Sequence, residues 1–176
     1  MRSFIDRSPF ALVATADRDG HGDVSPRGDP AGSFVRILDD STLLLPDRTG
    51  NHLVDTLRNI LVNADVAMAL AIPGEPDVLH VRARARITAD AALLAPSAVK
   101  NKAPKVGVLL DLQDAHFARG TLRNLWVRES LVDPADFPTM GQMILDQVNP
   151  GGRVLNRVGS AIFDLASSYH KKRRLY

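Results

Sequence analysis

A chain of 176 residues fits one domain of ordinary size, long enough to bury a real core. With 45% hydrophobic and 24% charged residues and no low-complexity tract, its composition is that of a soluble globular protein, and no apolar run reaches the ~20 residues that span a bilayer. A net charge of +2 is too mild to mark the whole chain as nucleic-acid binding, and the absence of cysteine excludes disulfides, thiolate metal sites and cysteine nucleophiles together. The opening "MRSFIDRSPF" lacks the apolar core and cleavage site of a signal peptide, so a cytoplasmic location is expected.

In chain order, "FALVATAD" (Phe10 to Asp17) is a β-prone run, "DRDGHGD" a Gly/Asp turn, and "VSPRG" a return strand, which together predict a hairpin. "SFVRILDDSTLLLPD" predicts two short strands around an Asp-Asp-Ser turn. After "DRTGN", Leu53, Leu57, Ile60 and Leu61 recur at helical spacing, with Asn51 as the N-cap. "DVAMALAIPG" predicts a strand buried on both faces. "VLHVRARARI" alternates most cleanly: Leu79, Val81, Ala83, Ala85 and Ile87 on one face, His80, Arg82, Arg84 and Arg86 on the other. The basic face suits solvent, a ligand or a partner subunit. "ADAALL" predicts a short helix and "KVGVLLDLQ" a last strand. From Asp114 onward "DAHFARGTLRNLWVRESLV", "PADFPTMGQMILDQV" and "RVLNRVGSAIFDLASSYHKK" all carry helical patterns. The terminal "YHKKRRLY" suits a helix end, where cations favour the dipole, or a polyanion contact. The expected fold is a single α+β domain over 1–176. Its antiparallel β-barrel has about six strands with an inserted helix, over about residues 9–113, followed by helices over about 114–172.

The usual catalytic signatures are missing. There is no GxxxxGK[ST], no GxGxxG after a strand, no HExxH and no GxSxG, and the five histidines are scattered without a metal-ligand spacing. No catalytic side chain is assigned and no metal is expected. An enzyme of this composition relies on a cofactor for its chemistry. Two turn-rich runs stand out, "SPRGDP" (Ser25 to Pro30) and "PDRTGN" (Pro46 to Asn51). In the second, Arg48 offers a bidentate contact to phosphate, Thr49 and Asn51 offer hydrogen bonds, and Gly50 permits close backbone approach. The helix that follows would point free N–H groups at the same place, with Arg58 about two turns on. Either run also works as a plain turn with no ligand. In the first, Gly28 permits an unusual backbone angle or a flat group against the strand, and Asp29-Pro30 forms a turn.

Taken together, "SPRGD", "PDR-GN" and "LRNIL", in that order, resemble the flavin mononucleotide (FMN)-binding split-barrel proteins of the pyridoxamine 5′-phosphate oxidase-like superfamily, and most closely a bacterial branch of probable FMN-dependent enzymes. The similarity covers about residues 4–130 and continues through "FPTMGQMI". It implies a homodimer with FMN at the subunit interface, Ser25, Arg27, Gly28 and Asp29 alongside the isoalloxazine, and Arg48, Thr49, Asn51 and Arg58 near the phosphate. The run "HFARGTLRNLW" resembles a late family element and places His116, Arg119, Arg123 and Trp126 near the flavin. Arg27 and Arg119 are candidates to stabilise reduced flavin. Two departures reduce the expected cation count at the phosphate: His52 and Leu53 stand where relatives carry basic residues, and Asp55 or Thr56 where the wider superfamily has a lysine.

The function these features imply is an FMN-dependent oxidoreductase that passes hydride through flavin N5 to or from a small-molecule substrate. Three alternatives remain: a non-catalytic flavin-binding or redox-sensing dimer, a haem- or deazaflavin-binding relative on the same barrel, and a nucleic-acid module built on the arginine strand and Lys171 to Arg174. No membrane partner is expected.

Overall fold

The "DRDGHGD" run turns because Asp17 gathers its own loop. Its carboxylate accepts the N–H groups of Asp19 and His21 at 2.9 and 2.8 Å, and Gly20 takes φ +85°. The strands it joins, β1 (Phe10–Ala16) and β2 (Gly22–Gly28), pair antiparallel from Phe10↔Gly28 to Ala16↔Gly22. The computed structural model describes residues 1–48, 54–125, 133, 137–148 and 160–161. The chain divides into two compact units, Met1–Ser130 and Leu131–Tyr176.

In the first unit follow β3 (Arg36–Ile37), β4 (Thr42–Asp47), α2 (Asp55–Val62), β5 (Asp65–Ala71), β6 (Val78–Thr88), α3 (Ala91–Leu94) and β7 (Val106–Ala118), preceded by α1 (Arg2–Arg7). The seven strands form one antiparallel sheet in the order β2-β1-β5-β6-β7-β4-β3. The sheet curls around Ala11, Val13, Leu43, Leu45, Met68, Leu70, Leu79, Val81 and Leu110, and Ile5 of α1 packs into the same core. Its two end strands are not hydrogen-bonded to each other, so this α+β fold is a split barrel. In the second unit Met140–Val148 is helical (α4). No helix among the described residues is long and apolar enough to cross a membrane.

Three expectations need correction, and one element was not expected. The pattern beyond Asp114 starts as strand, not helix: β7 runs to Ala118 because Val78 to Arg82 of β6 continue past a bulge at Arg82/Ala83 and pair with it. The boundary expected near residue 113 therefore falls inside a strand. The β5 strand is buried on one face only. Val66, Met68 and Leu70 point inward, and the outer positions Ala67, Ala69 and Ala71 are small enough to read as core. Helix α2 starts at Asp55 with Val54 at its N-cap, later than expected, and Asn51 lies outside the described residues; within the helix Ile60 is buried and Leu61 exposed. Finally, α1 carries no signal that sequence reading had singled out. The described part of the last predicted helix is Ser160 and Ala161 alone.

Gly107 is the most closely packed glycine among the described residues. A Cβ there would meet Leu94 Cδ2 at 2.8 Å and Leu44 Cδ1 at 3.0 Å, and both leucines are almost fully buried, Leu94 as the last residue of α3. Neither can move aside freely, so Gly107→Ala is expected to destabilise the fold by about 1–3 kcal/mol in chemical denaturation. An unchanged midpoint would show that the α3 cover is soft.

Acid sensitivity has an identifiable source. Hydrogen bonds from Arg86 at 2.9 and 3.1 Å hold the Asp111 carboxyl below its ordinary value. Backbone N–H groups do the same for Asp17 and Asp39, led by His21 and Ser41 respectively. A carboxyl depressed in the folded state contributes stability above its unfolded pKa of about 3.9 and loses it as pH falls through the lower folded value. Asp111→Asn is therefore expected to lower stability near neutrality by under ~1 kcal/mol, since the pair is exposed, and the two proteins' stability curves are expected to converge as pH falls below ~4. Parallel acid-unfolding curves for the two proteins would refute this.

Candidate functional site

The alternation of β2 puts Asp23, Ser25 and Arg27 on its inner side and Val24 and Pro26 outside. Opposite that inner side stand the end of β4 and the start of α2. Between them lies a cleft of about 400 Å³ lined by β2 residues 23–28 together with Asp29, Phe34, Leu45, Pro46, Arg48, Asp55 and Thr56. That size falls in the ~300–1,000 Å³ range of small-molecule sites. Phe34, Leu45 and Pro46 give it an apolar wall, and polar groups converge from the other sides.

The two arginines behave differently. Arg27 donates through Nη1 to Asp47 Oδ1 at 3.0 Å, while its Nε is out of solvent with no acceptor among the described residues. Arg48 has an acceptor for each nitrogen: Nε meets Asp29 Oδ2, Nη1 meets the Ser97 carbonyl at 2.8 Å, and Nη2 meets the Ser33 carbonyl at 3.0 Å. Burial lowers the Arg48 pKa below its ordinary value, and the ion remains charged at any working pH. The start of α2, where the N-cap Val54 offers no side-chain acceptor, opens beside these groups, but Asp55 shares the same corner.

The structure thus brings Ser25, Arg27, Gly28, Asp29 and Arg48 together, as walls of one cleft. Gly28 is ordinary strand, without a positive φ. Arg58 is exposed on α2 and outside the lining. Arg119 and Arg123 lie in the turn after β7, also outside it. Arg119 contacts Asp77 at 3.5 Å and stacks over Phe117 at 5.9 Å. Thr49, Asn51 and Trp126 lie outside the described residues, as do Gly50, His52, Leu53 and the Lys171 to Arg174 tail. Sequence reading missed Asp23, Phe34, Leu45 and Asp47. Asp47 was legible only as the residue before Arg48, because its partner depends on how the barrel curls.

Two further expectations change with the geometry. The β6 arginines are not a free cationic face: Arg82 pairs with Asp114 at 3.6 Å, Arg84 with Asp65 at 3.1 Å and Arg86 with Asp111. The histidines are less scattered than they looked. His80 and His116 stack across β6 and β7 at 5.4 Å, and His21 sits 3.0 Å from Asp17. The hairpin-turn hydrogen bonds account for the Asp17, Asp19 and His21 grouping.

Comparison with known proteins gives the fold its family. Among solved structures, HupZ from Group A Streptococcus is 20% identical, with a TM-score of 0.55 over 68% of this chain and 91% of that one. An F420 reductase is 22% identical, with a TM-score of 0.48 over 65% and 94%. HutZ, the haem storage protein from Vibrio cholerae, is 15% identical, with a TM-score of 0.44 over 67% and 90%. At its level of identity the HupZ likeness establishes the shared fold alone. No curated protein matches the sequence. The family model described as pyridoxamine 5′-phosphate oxidase matches residues 1–119, the span that contains the whole cleft, and the chain belongs to that family.

Proposed function

We propose that the protein is a cytoplasmic, FMN-dependent oxidoreductase acting on a small molecule, and that it works as a homodimer. The observation that carries this reading is the unmet donor of Arg27 beside a cleft of ligand size, in a family resemblance that implies FMN. The described residues suit the group. Arg27 has a donor for an acceptor on the flavin, Asp23 and Asp55 can accept from ribityl hydroxyls or a ring N–H, and Phe34, Leu45 and Pro46 provide an apolar wall. FMN, when bound, supplies hydride transfer at N5. The chain's own residues bind and orient it: Arg27 contributes positive charge, the start of α2 contributes backbone N–H groups, and the apolar wall excludes water.

The dimer reading rests on the outer face of the sheet. Phe10, Leu12 and Val24 are exposed there on β1 and β2, beside Pro26, Ala67, Ala69 and Ala71. A contiguous apolar sheet face of this kind calls for a cover. A second copy could also supply Arg119 and Arg123, which lie outside the cleft of their own chain.

The test is an absorption spectrum of the purified protein before and after adding FMN and desalting. Retained flavin bands, with FMN released intact on denaturation, are expected. A protein that stays colourless would sink the reading. Turnover with a reductant and an acceptor then separates an enzyme from a flavin carrier.

A further inference from the structure

The two edges of the barrel are joined across its split by side chains. Strand β2 ends one side of the sheet order and β4 with β3 the other, and no backbone pairing connects them. Two ion pairs do, with opposite polarity. Arg27 on β2 reaches Asp47 at the end of β4, and Asp29 just past β2 meets Arg48 just past β4. The second pair is the more enclosed, with the Asp29 side chain only 12% exposed. Arg48 also draws in the Ser33 and Ser97 carbonyls, so one guanidinium fixes the loop after β2, the end of β4 and the turn after α3. Asp29 is anchored in turn, its N–H donating to the Pro9 carbonyl at 3.0 Å.

We infer that Asp29 and Arg48 are a latch that sets the width of the cleft, and that Arg48 is a positioning residue whose donors serve the fold rather than a bound anion. The planar fork suits this task. Three acceptors in different directions match the spread of a guanidinium, and a lysine ammonium cannot reproduce it. Arg27 has the opposite character, with one nitrogen bonded and one unmet. The "PDR" arginine that looks like a phosphate ligand in the sequence has each nitrogen engaged by a neighbour, and the arginine nitrogen left unmet in the cleft among the described residues is that of Arg27. The binding half of the inference rests on the flavin reading; the latch itself does not.

Asp29→Asn and Arg48→Lys in the full chain test it, with FMN and riboflavin as probes. A latch predicts that each variant lowers the Tm of the flavin-free protein by roughly 3–10 °C. It also predicts faster amide exchange in residues 29–33, and weaker binding of FMN and riboflavin by the same factor. A phosphate-binding Arg48 predicts otherwise. Asp29→Asn would then free the arginine and tighten FMN, and Arg48→Lys would weaken FMN while sparing riboflavin, which has no phosphate. Either of those results overturns the inference, as does an unchanged Tm in both variants. If the unmodified protein binds neither flavin, the flavin reading fails by itself, and Tm and amide exchange still decide the latch.

Discussion

Arg27→Gln is expected to weaken FMN binding by about 10- to 150-fold, the equivalent of ~1.5–3 kcal/mol for a charge-assisted hydrogen bond lost in a confined site. The expectation follows from which donors are already committed. Arg27 gives Nη1 to Asp47 and keeps Nε without an acceptor, so a ligand that supplies one removes a desolvation penalty as well as gaining a bond. The fold should tolerate the change. Both members of the Arg27–Asp47 pair keep part of their side-chain surface in solvent, at 23% and 31%, which screens the ion pair and lets water replace the lost partner. Asp47→Asn provides the opposite control, since it releases Nη1 and leaves FMN affinity the same or tighter. Fluorescence titration of FMN measures both. An Arg27→Gln protein that binds FMN as well as its parent would remove Arg27 from the site, and the flavin would then need its cation from the partner copy.

How far the sequence could be read depended on whether a feature is local. The hairpin at Asp17 to His21, the short helix after Asp90 and the alternation of β6 all lie within a few residues of their own signal. The cleft was legible in outline because two unusual runs, "SPRGD" and "PDR", flagged the same region. What escaped reading was pairing between distant residues. No periodicity reveals that Arg84 faces Asp65, or that Arg48 turns onto Asp29, because both depend on strand register and the curl of the barrel. The same holds for β7. From Asp114 to Ala118 its apolar spacing suits a helix as well as a strand, and only the partner strand decides. Small residues misled in another way: the alanines on the outer face of β5 resemble core until the exposed Leu12 beside them shows that the face is uncovered.

That uncovered face makes the second large expectation. Leu12→Glu should turn a dimer into a monomer at micromolar protein, with the fold intact. Leu12 is 40% exposed in the single chain and points away from the core, between Pro26 on β2 and Ala69 on β5, so a glutamate there remains solvated in the monomer. In a two-fold dimer built on this face both copies would bring the residue into the interface, and each substitution would count twice. An unpartnered buried carboxylate costs several kcal/mol per ion, so the dimer Kd is expected to rise by roughly three orders of magnitude or more. Sedimentation velocity decides the assembly state and circular dichroism the fold; an Leu12→Glu protein that still sediments as a dimer, or a parent that is monomeric, would place the interface elsewhere or remove it. The flavin content of the monomer carries the argument one step further. If FMN leaves with the partner, the cleft described here is half of a site, and Arg119 and Arg123 become the residues to test from the other copy. If the monomer holds FMN, the walls from Asp23 to Thr56 suffice, and the apolar face serves assembly alone.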